Sequence, residues 1–164
     1  MLRGFGLVLA VFCSLSCGTA AEGNPCQGRD AYLYVDTAQH RLWLCEGANA
    51  RRSYDIRLGK GGVGKTREGD GKVPLGTYGL GKPRASDEYG TFIPIKYPTT
   101  EQRALGYTGS AVGVHGPNRD LRWLGRLINL FDTTDGCVGL ATDEEMIAIA
   151  EWGTSKNASI IELK

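Results

Sequence analysis

The chain is poor in the residues that metal and nucleic-acid sites usually need. It has 2 His, and its cysteines form no Cys-x-x-Cys pair, so the ligand spacing of a zinc site is missing. Neither charge is in excess: 19 Lys and Arg stand against 18 Asp and Glu, which argues against a broad nucleic-acid or anionic-membrane surface. The apolar run from Phe5 to Leu15 is too short to span a bilayer. Glycine, by contrast, is abundant, with 24 of 164 residues, roughly twice its usual share of about 7%. It follows no Gly-X-Y period, so collagen is excluded, and a turn-rich β or α+β domain is expected. A hydrophobic content of 41% is ample for a packed core and argues against disorder. The length suits one domain.

Residues 1–21 read as an address. Arg3 is their only charge, the apolar run follows, and small residues around Gly18–Ala21 suit cleavage. This is the pattern of a secretory signal peptide. Lipoprotein processing at Cys17 is the alternative, weakened by a poor lipobox. Removing the segment takes Arg3 away and leaves 18 basic (19 less Arg3) against 18 acidic residues. The remaining chain is expected to work outside the cytoplasm, periplasmic or wall-associated, in an oxidising compartment. Cys13 and Cys17 leave with the signal, and Cys26, Cys45 and Cys137 remain. The odd count allows one pair and one free thiol. Cys26 precedes the first expected strand and Cys45 ends the second, so a bridge between them would clip the N-terminal tail to a hairpin.

The body of the chain is mostly β in pattern. Residues 31–36 (AYLYVD) and 41–46 (RLWLCE) flank a polar turn and predict a hairpin. Ser53–Leu58 alternates and predicts a third strand, and Gly59–Gly71 is a glycine loop. Short strands are expected at 77–80, 92–96, 111–115 and 158–163, a helical turn at 99–105, and a short helix at 121–130. Thr142-Asp-Glu-Glu145 is a capping box. Met146, Ile147, Ile149, Ala150 and Trp152 make the apolar stripe of the helix that follows, with Gly153 expected at its C′ stop.

Gly59–Thr66 (GKGGVGKT) satisfies the P-loop pattern G-x-x-x-x-G-K-[ST]. Such a loop needs a helix starting at its Lys-Thr to face the phosphates. Here REGDGKVPLG follows, and its glycines and proline prevent one. No nucleotide is expected, and the match reads as a glycine-rich connection between strands.

The chemistry concentrates in two later strings, Val112-Gly-Val-His115-Gly116 and Thr134-Asp135-Gly136-Cys137-Val-Gly139. A Cys among small residues and a strand-end His suit a nucleophile and its base, with backbone N–H groups of Gly136 and Cys137 as oxyanion donors. The plain alternative is a small buried thiol and a structural histidine.

Val-His-Gly followed by Thr-Asp-Gly-Cys-Val-Gly-Leu resembles the catalytic signature of the L,D-transpeptidase family (YkuD-like, also ErfK/YbiS), in its subset with Asp-Gly-Cys in place of His-Gly-Cys. Gly69-Asp70-Gly-Lys-Val-Pro-Leu-Gly-Thr-Tyr78 is similar to that family's G-D-x-K-T-P-x-G-x-Y loop, and Ile95-Lys-Tyr97-Pro98 falls in the family's order. The resemblance implies a mainly β, sandwich-like catalytic domain over 31–164, after a linker at 22–30, with one or two short helices. It implies Cys137 as nucleophile and His115 as general base, with Gly116, Thr134, Asp135, Gly136 and Tyr97 supporting substrate or oxyanion. It further implies action on peptidoglycan stem peptides with no cofactor, metal, nucleotide or nucleic acid: the thiol attacks the diamino acid–D-Ala amide, and the thioester passes to an amine. Hydrolysis by water on the same fold, or a non-catalytic wall-binding domain, are the alternatives. Asp135 stands where many members have His, and Gly139 where many have Arg.

Overall fold

The computed structural model describes Met1 and residues 24–164. The segment read as a signal peptide otherwise lies outside the described residues. Nine strands form one mixed sheet: β1 (Arg29–Asp36), β2 (Arg41–Gly47), β3 (Asn49–Arg57), β4 (Gly76–Gly79), β5 (Arg84–Ser86), β6 (Gly90–Pro94), β7 (Gly113–His115), β8 (Val138–Leu140) and β9 (Ile160–Leu163). Their order is β4-β9-β1-β2-β3-β8-β7-β6-β5. The β1–β9 and β7–β8 pairs are parallel, and the others are antiparallel. The sheet curls until its two ends meet: Leu80 bridges Ile95, Lys96 N–H donates to Gly79 O at 2.8 Å, and Gly81 N–H to Pro94 O at 2.7 Å.

Alternation along β1 feeds two separate cores. Leu33 and Val35 face the main core with Leu42, Leu44, Ile56, Val114, Val138 and Leu140. Tyr32 and Tyr34 face a smaller cluster with Cys26 and Cys45. Those two cysteines are joined by a disulfide with Cα atoms 5.4 Å apart. The segment read as a linker is therefore tied down. Its strand begins at Arg29 rather than Ala31, and Gln27 N–H donates to the Tyr32 hydroxyl at 2.9 Å.

Helix α1 (Thr100–Ala104) carries the complete capping box, with Thr99 and Gln102 exchanging bonds. Helix α2 (Asp143–Ser155) carries only half of the one expected at its start. Thr142 Oγ1 accepts from Glu145 N–H at 3.2 Å, but the Glu145 carboxylate takes the Arg126 guanidinium at 3.1 Å instead of reaching back. The expected stop at Gly153 is also corrected. The helix runs two residues further, and Asn157 takes the left-handed conformation at φ 52°. Asn157 N–H donates to Thr154 O and Ala158 N–H to Gly153 O, the paired bonds of a Schellman end. Met146, Ile149 and Ala150 are buried, whereas Ile147 is 46% exposed and leaves the stripe.

Between β7 and β8 the chain forms a 3₁₀ segment (Arg122–Leu130) rather than an α-helix, broken at Gly125, whose φ is 52°. Strand β5 was not anticipated: its three residues are too short for an alternating pattern to register. Among the described residues no helix is long and apolar enough to cross a membrane.

Candidate active site

Strands β3, β8 and β7 lie side by side and carry the site. The register pairs Arg57 with Gly139 and Gly139 with His115. These three residues therefore form a row across the sheet and point to the same side, one strand spacing of about 4.8 Å apart. Cys137 lies in the turn immediately before β8, with its sulfur against the backbone that leads into β7, at Ala111 and Gly113. The other face belongs to Ile56, Val138, Leu140 and Val114 in the core.

The thiol is cradled by the turn that leads into β7. Cys137 Sγ donates to Ala111 O at 3.5 Å, and the backbone N–H of Gly113 faces the sulfur. Burial pushes the thiol above its ordinary range; the Gly113 N–H opposes this, and the Asp135 carboxylate adds to it. Cys137 is accordingly held as a neutral thiol.

His115 is 2% exposed. Its Nδ1 lies 2.7 Å from Gly116 O. A carbonyl only accepts, so Nδ1 carries the proton and Nε2 is left as the basic nitrogen. Tyr89 stacks on the ring with centroids 3.9 Å apart, and Phe92 lies parallel to it at 6.3 Å. Burial, reinforced by the nearby Arg57 charge and opposed by the Gly116 bond, lowers the imidazole to about 4. It is neutral at physiological pH.

Two of the supporting glycines are required by close packing. A Cβ at Gly116 would lie 2.8 Å from Tyr89 O. Gly136 adopts a φ of 113°, and a Cβ there would lie 2.5 Å from Lys72 O. Thr134 is buried and ties the Cys137 loop together. Its hydroxyl donates to Cys137 O at 2.7 Å and accepts from Cys137 N–H at 3.0 Å and Gly136 N–H at 3.3 Å. The two N–H groups expected to face an oxyanion are thus turned onto Thr134. Asp135 is exposed and pairs with Lys60 at 2.6 Å.

Tyr97 is not drawn into this cluster. It is buried in the main core, its hydroxyl donates to Lys65 O at 3.1 Å, and burial raises it to about 12. The segment matching the P-loop pattern has a structural part to play. The Lys65 ammonium is buried against Asp70 at 2.8 Å, and no helix follows Thr66. Lys60 N–H donates to Thr134 O at 2.8 Å, so the loop packs against the turn that carries Cys137. Among the described residues no group of His, Cys, Asp and Glu is placed to hold a metal ion.

Arg57 and Tyr89 escape sequence reasoning. The Ser53–Leu58 alternation does turn Arg57 away from the core, but that pattern alone reads as a solvated charge. Tyr89 sits in the turn between β5 and β6, where nothing in the sequence links it to His115.

Fold and site together define a β-rich domain with a free Cys immediately before one strand and a buried His on the parallel strand beside it. The model of the L,D-transpeptidase catalytic domain (YkuD) matches residues 30–161, and the chain belongs to that family. Its fold is similar to that of the helical cell shape determining protein Pgp2 from Campylobacter jejuni, at 23% identity and TM-score 0.66, covering 88% of this chain and 52% of that one. Bd1075 from Bdellovibrio bacteriovorus is similar at 19% identity and TM-score 0.60, covering 82% and 47%. An Enterococcus faecium L,D-transpeptidase is similar at 15% identity and TM-score 0.54, covering 83% and 50%. The chain thus spans about half the length of these proteins. A comparison with curated proteins finds no match.

Proposed function

We propose that this protein is an exported, cysteine-dependent L,D-transpeptidase of peptidoglycan. One observation carries the reading: a free thiol, Cys137, immediately precedes β8, and a buried imidazole, His115, lies on β7, the strand paired in parallel with it, in a chain of this family. Family members act on peptidoglycan, and the similarity to a cell-shape protein accords with that.

In the proposed reaction the Sγ–H proton passes to His115 Nε2 as sulfur attacks the carbonyl carbon between the diamino acid's L-centre and D-Ala. The C–N bond then breaks, His115 returns the proton to the departing D-Ala amine, and a thioester remains on Cys137. The amine of a second stem displaces the sulfur and forms a 3→3 cross-link. Because both groups are neutral at rest, proton transfer and attack are coupled, in contrast to a preformed thiolate–imidazolium pair. Thr134 releases the Gly136 and Cys137 N–H groups as the oxyanion develops, which makes them donors in the tetrahedral state.

The test is incubation of the native protein and Cys137→Ala with tetrapeptide muropeptides, read by mass spectrometry. The native protein is expected to release D-Ala, carry an acyl adduct and yield dimers, and the variant none of these. Tripeptide without dimer would assign hydrolysis instead. No release and no adduct would leave a non-catalytic wall-binding domain.

A further inference from the structure

Arg57 is 2% exposed, and a guanidinium buried to that degree is normally matched by a carboxylate. Among the described residues it has none. Its Nη1 donates to Leu140 O at 2.8 Å and to Asn129 Oδ1 at 3.4 Å. The side chain lies across Gly139: a Cβ there would be 2.7 Å from Arg57 Cζ and 2.9 Å from Nε. Gly139 is the residue between Arg57 and His115 in the row across β3, β8 and β7. Its missing side chain is therefore the gap that lets a cation from β3 reach toward the imidazole on β7.

We propose that Arg57 is a positioning residue for the reaction, lodged in the Gly139 gap so that its charge acts on His115. This rests on the reading of His115 as the base. A guanidinium beside the imidazole keeps Nε2 unprotonated and able to accept the thiol proton. Once Nε2 has accepted it, the same charge makes the imidazolium a stronger acid, which hastens transfer of that proton to the leaving amine. No proton is gained or lost by Arg57 itself.

The other groups around His115 do not supply this charge. Tyr89 from the β5–β6 turn and Phe92 of β6 lie against the ring, and Glu88, Cys137 and Asp135 act on Tyr89. Asp143 of α2 lies beside Gly116 and is paired with Arg122 at 3.2 Å. Each of these is neutral, anionic or already paired.

Nuclear magnetic resonance titration of the two histidine side chains, with no substrate present, tests the proposal. The variants are Arg57→Gln, Arg57→Lys and Gly139→Ala. His115 is expected to titrate higher by about one pH unit or more in Arg57→Gln, where the charge is lost. The same direction is expected in Gly139→Ala, where the new methyl displaces the guanidinium. Arg57→Lys keeps the charge and is expected to stay near the native value. The acid limb of thioester formation should move with the titration. Unmoved titration in both Arg57→Gln and Gly139→Ala, or Arg57→Lys behaving like Arg57→Gln, would overturn the proposal. If Arg57→Gln does not fold, Gly139→Ala and Arg57→Lys decide it alone. An inactive protein whose His115 still responds to these changes would overturn the functional reading and leave only the charge coupling between Arg57 and His115.

Discussion

At Cys137 and His115 the backbone holds each group by itself: the thiol by Ala111 O and the imidazole by Gly116 O. Neither depends on the other for its place, so replacing one is expected to leave the other where it is. His115 also carries a pH signature. Its folded value of about 4 lies below its ordinary 6.5, so between those values the unfolded chain binds the proton that the folded chain refuses. The resulting stability is fully present above about 6.5 and is lost as pH falls through 4, to a total of about 3 kcal/mol. Urea denaturation between pH 7 and 4 is expected to show this decline in the native protein and a shallower one in His115→Gln. Equal slopes would mean that the imidazole is not buried as a neutral group. The motif drew attention to His115; Arg57 had no such signal, because what distinguishes it is the empty space at Gly139 on another strand.

Among the elements, the glycine loop from 59 to 71 packs against the turn that carries Cys137, through Lys60 N–H to Thr134 O. Its anchor is the buried Lys65–Asp70 pair, with side chains only 4% and 8% exposed. Burial alone would raise the Asp70 carboxyl. The Lys65 ammonium and the N–H groups of Thr66, Arg67 and Lys72 outweigh it and hold the carboxyl well below the usual range. This stability is present above that range and is lost only as pH falls below it, more acid than the His115 window. Asp70→Asn leaves the Lys65 charge buried without its partner and is expected to cost about 3 kcal/mol, read as a lower urea midpoint. A variant within a few tenths of a kcal/mol of native would show that the loop is held by its backbone bonds. The helix ends teach a related lesson. Thr142 and Gly153 looked like a complete start and stop, yet Arg126 claimed the Glu145 carboxylate and Asn157 took the left-handed turn. Both outcomes depend on residues that local sequence windows do not weigh.

For the whole molecule, the disulfide joins residues 19 apart and closes the small aromatic cluster packed on the hairpin of β1 and β2. Replacing Cys26 and Cys45 with Ser is expected to lower stability by about 3 kcal/mol in the chain-entropy account. D-Ala release at temperatures where the fold persists should be unchanged, since β3, β8 and β7 are untouched. Loss of release in a folded variant would show that the hairpin couples to the site. The strands of this sheet were legible in the sequence wherever alternation ran for five or more residues, as in 31–36 and 41–46, because a period of two follows directly from which side chains must be buried. So were the family and the free Cys137, the family because its motifs are short contiguous strings. Three things were left to the tertiary structure: the curl that brings Leu80 to Ile95, the turning of the Gly136 and Cys137 N–H groups onto Thr134, and the lodging of Arg57 over Gly139. Each arises from residues far apart in the chain meeting at a distance that pairing and packing set, and no local pattern of residue types encodes that distance.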